Sequence, residues 1–225
     1  MAPVDPDRRR SPRRWLGGRL PGADVRRRQV IDYAAAWAEV DRAARAASGP
    51  RWVVLGDSVS VGVGASRHDR GYVGLVLDRL RAERDPGWVV VNRSVTGART
   101  ADVLTGQLAV LDELDRVELV SCAIGGNDLL RSRWATHRAA LERLLDALPA
   151  GAVVATLPRG LRERQAMAAN ALIEAKAAER GLVVADVWSH TGPPWAGRYA
   201  ADHFHPSDTG HKDWADAFTA ALGLG

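Results

Sequence analysis

Trp52-Val53-Val54-Leu55-Gly56-Asp57-Ser58-Val59-Ser60 is the stretch that decides how this chain folds. Four apolar residues stop at Gly-Asp-Ser, which is how a buried strand runs into a turn. Further β-branched runs fall at 88–91, 117–124, 152–156 and 182–187, with helical stretches near 72–84, 100–114, 134–147 and 162–180 between them. A last helix is expected over 207–222. Alternation of this kind implies a parallel sheet with helices on both faces, an α/β class, three-layer α/β/α domain with five strands. In an open parallel sheet, ligands bind beyond the carboxyl ends of the strands. Ser58 therefore stands where chemistry is expected.

The rest of the chain frames that domain. At 225 residues it suits one α/β domain with some added sequence, and 46% hydrophobic residues suffice for a sizeable core. The formal charge of +4 is uneven. Residues 1–50 hold eleven arginines against six acidic residues, whereas 51–225 hold twenty basic residues against twenty-one acidic ones. Positions 1–28 are rich in Pro, Gly and Arg without period, and read as a disordered leader. Residues 29–50 read as an amphipathic helix docked on the domain, with Val30, Tyr33, Trp37, Val40 and Ala44 at helical spacing before Ser48-Gly49-Pro50. The domain proper is expected over 51–225.

Several function classes recede on composition. Only Trp15 interrupts the early arginines, so a base-stacking surface is not expected and no nucleic-acid partner is assigned. No apolar run approaches a membrane span. Arg8-Arg9-Arg10 and Arg13-Arg14 resemble the start of an export signal, but no apolar segment follows, so a cytoplasmic setting is expected. The single cysteine, Cys122, lies in an apolar run and reads as a buried small hydrophobe.

Four polar segments come to one edge of the sheet. Gly56-Asp57-Ser58 follows the first strand, Asn92-Arg93-Ser94-Val95-Thr96-Gly97 the second, and Gly125-Gly126-Asn127-Asp128 the third. Asp202-His203-Phe204-His205-Pro206 precedes the last helix. Acyl transfer needs a nucleophile, a base, an orienting acid and oxyanion donors. Ser58 supplies a hydroxyl and its own N–H, His205 a base, and Asp202 an acid that holds the imidazole tautomer. Gly97 offers an unhindered backbone N–H and Asn127 a neutral side-chain amide. Asp57 is expected to cap the following helix and Asp128 to fix the Asn127 turn.

These blocks resemble the SGNH hydrolase family, also called GDSL esterases and lipases. Gly56-Asp57-Ser58-Val59-Ser60 matches the first block, with Val59 where the family usually has Leu. Asn92–Gly97, Gly125–Asp128 and Asp202–Pro206 match the others in order, so the likeness runs over roughly 51–222. It implies a flavodoxin-like fold and an acyl-enzyme route without cofactor or metal. It also implies Ser58, Asp202 and His205 as catalytic triad, and Ser58, Gly97 and Asn127 as oxyanion hole. The Gly-x-Ser-x-Gly elbow is not matched, because residue 60 is Ser.

Other readings compete. Asp202, His203, His205, Asp208 and His211 could form a metal cluster, although such sites usually draw ligands from further segments. Gly62-Val63-Gly64 hints at a phosphate loop but lacks Gly-Lys-Ser/Thr. A non-catalytic binding protein with a basic leader is the reading from another class. Within the hydrolase reading, thioesters and carbohydrate O-acetyl groups stand beside short-chain carboxylic esters, and the partner is a small-molecule ester. Trp134, Trp188 and Trp195 are candidate pocket walls, Arg93 and Arg99 candidate anion contacts, and Trp188–Ala201 the one loop long enough to wall a pocket. The histidine base is expected to titrate near pH 6–7, pushed upward by Asp202.

Overall fold

The computed structural model describes residues 23–225. Its first element is a helix, α1 (Ala23–Ala46), with Asp24 in the first turn and Arg45 in the last, complementing the helix dipole. Residues 23–28 are thus helical, which corrects the leader boundary at 28; the disorder expected of residues 1–22 lies outside the described residues.

Five strands follow: β1 (Arg51–Gly56), β2 (Val89–Asn92), β3 (Leu119–Ala123), β4 (Val153–Ala155) and β5 (Val183–Ala185). They form one parallel sheet in the order β2-β1-β3-β4-β5. Order 2-1-3-4-5 places the topological switch between β1 and β3, the position where doubly wound folds bind ligands.

The central strands are almost wholly apolar because both faces are covered. Trp52 and Val54 of β1 pack into one core with Trp37 of α1, Tyr72, Val76 and Leu80 of α3 (Tyr72–Glu83), and Trp214 and Phe218 of α10 (Asp208–Leu222). Val53 and Leu55 face the other core, with Leu141, Leu144 and Leu145 of α7 (Trp134–Ala147) and Ile173 of α8 (Glu163–Arg180). Each such aliphatic side chain contributes about 1.5–3 kcal/mol on leaving water. Trp52 Nε1 finds a partner in Ser121 Oγ at 2.9 Å, which lets an indole N–H sit in this layer without cost.

Short elements at the strand ends set the site. They are α2 (Ser58–Val61), α4 (Thr100–Asp102), α5 (Val110–Glu113), α6 (Gly126–Arg131) and α9 (Val187–His190). Between α4 and α5 lies a π-helical stretch, Val103–Gln107, where the sequence pattern reads as one continuous helix. The reason is Gln107. Its Oε1 accepts from Gly56 N at 2.8 Å and its Nε2 donates to Gly56 O at 2.9 Å, so the helix widens to hand an amide to the end of β1. Gly56 must be glycine, since a Cβ there would lie 2.4 Å from Ser60 Oγ and 2.6 Å from Ala123 O.

Candidate active site

Each sequence block reaches the carboxyl edge by a local device. Asp57 caps α2, its Oδ1 accepting from Val59 N at 3.0 Å, and this turn presents Ser58. Ser60, one alternate position away, is fully buried and bonded to Tyr72 OH at 2.8 Å, so it serves packing. The His205 loop is built by Asp202. Its Oδ1 accepts from the N–H groups of Phe204 and His205, both at 3.0 Å, and this turn holds His203 at a left-handed φ of 53°.

The same loop brings His205 to Ser58. Asp202 Oδ2 accepts from His205 Nδ1 at 2.6 Å, and His205 Nε2 lies 3.0 Å from Ser58 Oγ. Ser58 and His205 come from segments 147 positions apart, yet both are almost wholly buried. With Nδ1 donating to the carboxylate, Nε2 is the lone pair available to a serine proton.

On the other side of Ser58, Asn127 sits on α6. Its amide donates to Ala98 O at 3.0 Å and to Asp57 Oδ2 at 3.2 Å. Gly97 adjoins Ala98 in the turn after β2, held at φ 83°, so this bond lays the second and third blocks against each other. Asp128 reaches beyond its own turn: its Oδ2 accepts from Thr100 N at 2.8 Å and Thr100 Oγ1 at 3.0 Å, and its Oδ1 from Ser132 Oγ at 3.4 Å.

Burial dominates the electrostatics. Asp57 is pushed up to about 7 by burial, with the charge of Asp128 adding to the rise. Burial would also raise Asp202, but the His205 ring and the two loop N–H groups hold it below the ordinary carboxylate value. For His205, burial lowers the pKa and outweighs Asp202, which raises it. The upward push expected from Asp202 is therefore reversed in net effect. With His205 as the base proposed below, the acid limb of kcat/KM should accordingly have its midpoint lower than that of an ordinary histidine. Activity should then fall as pH drops, because a histidine base must be neutral to accept a proton. A pH–rate series in constant ionic strength reads this; a His205 midpoint above 7 would contradict it.

Four of the five candidate metal side chains are otherwise engaged, Asp202 and His205 with each other. His211 is buried in the α10–α3 contact, Nδ1 accepting from Tyr72 N at 3.3 Å and Nε2 donating to Val63 O at 3.2 Å. Burial depresses it to about 4. Asp208 accepts from Ser66 N and Ser66 Oγ, both at 2.7 Å. Among the described residues no group of three or more His, Cys, Asp or Glu side chains is placed to hold a metal ion.

The model of the GDSL-like lipase/acylhydrolase family matches residues 54–212. The chain belongs to the GDSL-like lipase/acylhydrolase family. It is an SGNH-type hydrolase, an enzyme acting on ester bonds. Among solved structures, TesA is similar at 27% identity and TM-score 0.64, over 76% of this chain and 97% of that one. Axe2, an acetylxylan esterase from Geobacillus stearothermophilus, shares the fold at 22% identity and TM-score 0.62, over 80% of this chain and 97% of its own. The lipase Lip_vut3 from a goat rumen metagenome does so at 17% identity and TM-score 0.61, over 78% and 98%. Among curated proteins, none matches the sequence.

In this GDSL-like hydrolase a cavity of about 470 Å³ opens beside Ser58 and Asn127. Ala123, Ile124, Ala155 and Leu157 from the ends of β3 and β4 line it, with Leu161, Trp195, Tyr199 and Phe204 from the loops. Of the three tryptophans expected as walls, Trp195 lines the cavity. Trp134 and Trp188 do not, which corrects that expectation: Trp134 packs edge-on against His137 at 5.7 Å, and Arg159 lies over Trp188 at 5.2 Å from the ring centre. Arg93 and Arg99 are likewise spent elsewhere, pairing with Asp41 and Asp102. The sequence reading missed the second wall, Leu157–Leu161, because a Pro-Arg-Gly loop after a three-residue strand carries no chemical signature. Cys122 is buried, its thiol pushed up to about 12 by burial. Among the described residues no helix is long and apolar enough to cross a membrane.

Proposed function

We propose that this enzyme is a serine esterase hydrolysing short-chain carboxylic esters through an acyl-enzyme, with Ser58, His205 and Asp202 as its triad. Ser58 Oγ attacks the ester carbonyl while His205 Nε2 takes its proton. The developing oxyanion is held by Ser58 N–H, Gly97 N–H and the Asn127 amide. The Asn127 hydrogen now given to Asp57, in the longer of its two bonds, is the one the oxyanion takes. His205 returns the proton to the departing alcohol, and water then repeats the sequence on the acyl-enzyme. The observation that carries this reading is the unbroken chain Asp202–His205–Ser58, at 2.6 and 3.0 Å.

The short-chain preference rests on space. Acyl and alcohol portions share one cavity of about 470 Å³, walled by the strand ends and two loops. A methylene enclosed there contributes about 0.8 kcal/mol, close to fourfold in kcat/KM, and one left outside contributes nothing. A p-nitrophenyl ester series should therefore peak between acetyl and hexanoyl and decline beyond. A maximum at dodecanoyl would overturn the short-chain reading. One observation favours a second substrate class: Trp195 and Tyr199 form a tilted aromatic pair, 5.9 Å between ring centres, at the half-exposed rim. Such a platform suits the face of a sugar ring. Faster deacetylation of acetylated xylo-oligosaccharides than of p-nitrophenyl acetate would select that carbohydrate O-deacetylase reading, and faster turnover of matched thioesters the thioesterase one.

A further inference from the structure

Helix α1 lies outside residues 54–212, where the family pattern runs, yet it reaches the catalytic loops through one stripe of side chains. Arg26, Gln29, Tyr33 and Trp37 are spaced i, i+3, i+7, i+11 and share a helix face. Gln29 Nε2 donates to Ala65 O at 2.9 Å and its Oε1 accepts from Gly64 N at 3.1 Å. Tyr33 OH donates to the same Ala65 O at 2.9 Å, and Trp37 Nε1 to Val61 O at 2.9 Å. The gripped segment, 61–65, is the direct continuation of the Ser58 turn.

That segment also backs the base. Gly64 has φ +98°, and a Cβ on it would stand 2.8 Å from His205 Cβ and 2.2 Å from Pro206 O. Holding 61–65 therefore holds the Ser58 and His205 loops in register. At the head of the stripe, Arg26 Nη1 lies 3.9 Å from Asp202 Oδ2, the same oxygen that binds His205 Nδ1.

We propose that α1 is part of the catalytic apparatus and that Arg26 is a positioning residue, steadying Asp202 from behind while its charge opposes protonation of His205. A cation beside the pair favours neutral imidazole, so the base stays available at lower pH. The Arg26 charge indeed acts to lower the His205 pKa, in the same direction as burial. The other ionisable groups around His205 are Asp202 and His203 on its own loop, Asp57 beside Ser58, and Asp208 and His211 on α10. All of these groups are retained when Arg26 is replaced, so a difference between the two profiles reads Arg26 acting directly on His205 or through Asp202, the carboxylate it approaches.

This inference rests on the triad reading, and its test separates the two. In Arg26→Gln at low ionic strength, the acid limb of kcat/KM should move up by roughly 0.3–0.5 pH unit, the scale of one charge acting through a largely aqueous path. Arg26 is about half exposed, so added salt of about 0.5 M should bring the two profiles together. Arg26→Lys should restore the limb, and Arg42→Gln, on the exposed side of α1, should leave it in place. A merely structural loss would lower the whole profile without moving its midpoint. Superimposed limbs at low salt, with His205→Ala inactive, would overturn the role of Arg26 and leave the triad standing. An active His205→Ala would overturn the triad and this inference with it.

Discussion

Ser58→Ala should lower kcat by about 10⁴–10⁶-fold with the fold intact. Among the described residues the hydroxyl is the only nucleophile in hydrogen-bond contact with His205 Nε2, at 3.0 Å. Ser60 is sealed by Tyr72, and the Cys122 thiol is buried and held protonated. The stability cost should be small, about 1 kcal/mol for one lost hydrogen bond. The double variant Ser58→Ala/His205→Ala should be no slower than the single one, because the two groups act as a unit. Turnover of p-nitrophenyl acetate reads the rate, and mapping of a fluorophosphonate adduct reads the residue. Activity within tenfold of the wild type, or an adduct elsewhere, would remove Ser58 from the role assigned to it.

Asp202→Asn should cost about 10⁴-fold in kcat, nearly as much as loss of the nucleophile, although it changes one atom. Asp202 has two separate tasks. Its Oδ1 accepts the N–H groups of Phe204 and His205 and shapes the loop, which an asparagine carbonyl can still do. Its Oδ2 accepts from His205 Nδ1 at 2.6 Å and thereby leaves Nε2 free of a proton. An asparagine amide at that place donates, so the imidazole carries its proton on Nε2 and faces Ser58 with a donor. The loop should stay folded and the base be lost. Asp202→Ala should lose both and lower thermal stability as well, so comparing the two variants divides orientation from scaffolding. An Asp202→Asn enzyme with more than a tenth of wild-type turnover would show that the tautomer does not matter here.

The parts of this molecule legible in the chain were those governed by local pattern. Trp52–Leu55 and Val153–Ala155 read as strands because residues buried on both sheet faces must be apolar at every position, not at alternate ones. The polar blocks after β1, β2 and β3 were found at the strand ends because a parallel sheet turns every such end to one edge. Where the pattern misled, a long-range contact had intervened. The 100–114 stretch has helical periodicity throughout, but Gln107 bonds to Gly56, 51 positions away, and a π-helical turn interrupts it. Trp134 and Trp188 follow the right blocks in sequence, yet His137 and Arg159 claim them.

By itself, then, the amino-acid sequence determined which polar blocks follow the strands and the order in which the sheet collects them. Spacing and polarity are enough for that, since each strand–turn–helix unit is specified within a few dozen residues. Only the tertiary structure decided how those groups behave. His205 loses more from burial than it gains from Asp202, and Asp57 is lifted to about 7, because desolvation depends on every segment packed around a charge. The second cavity wall and the reach of Arg26 to Asp202 have the same origin. Neighbours in space that lie far apart along the chain leave no period for the sequence to display.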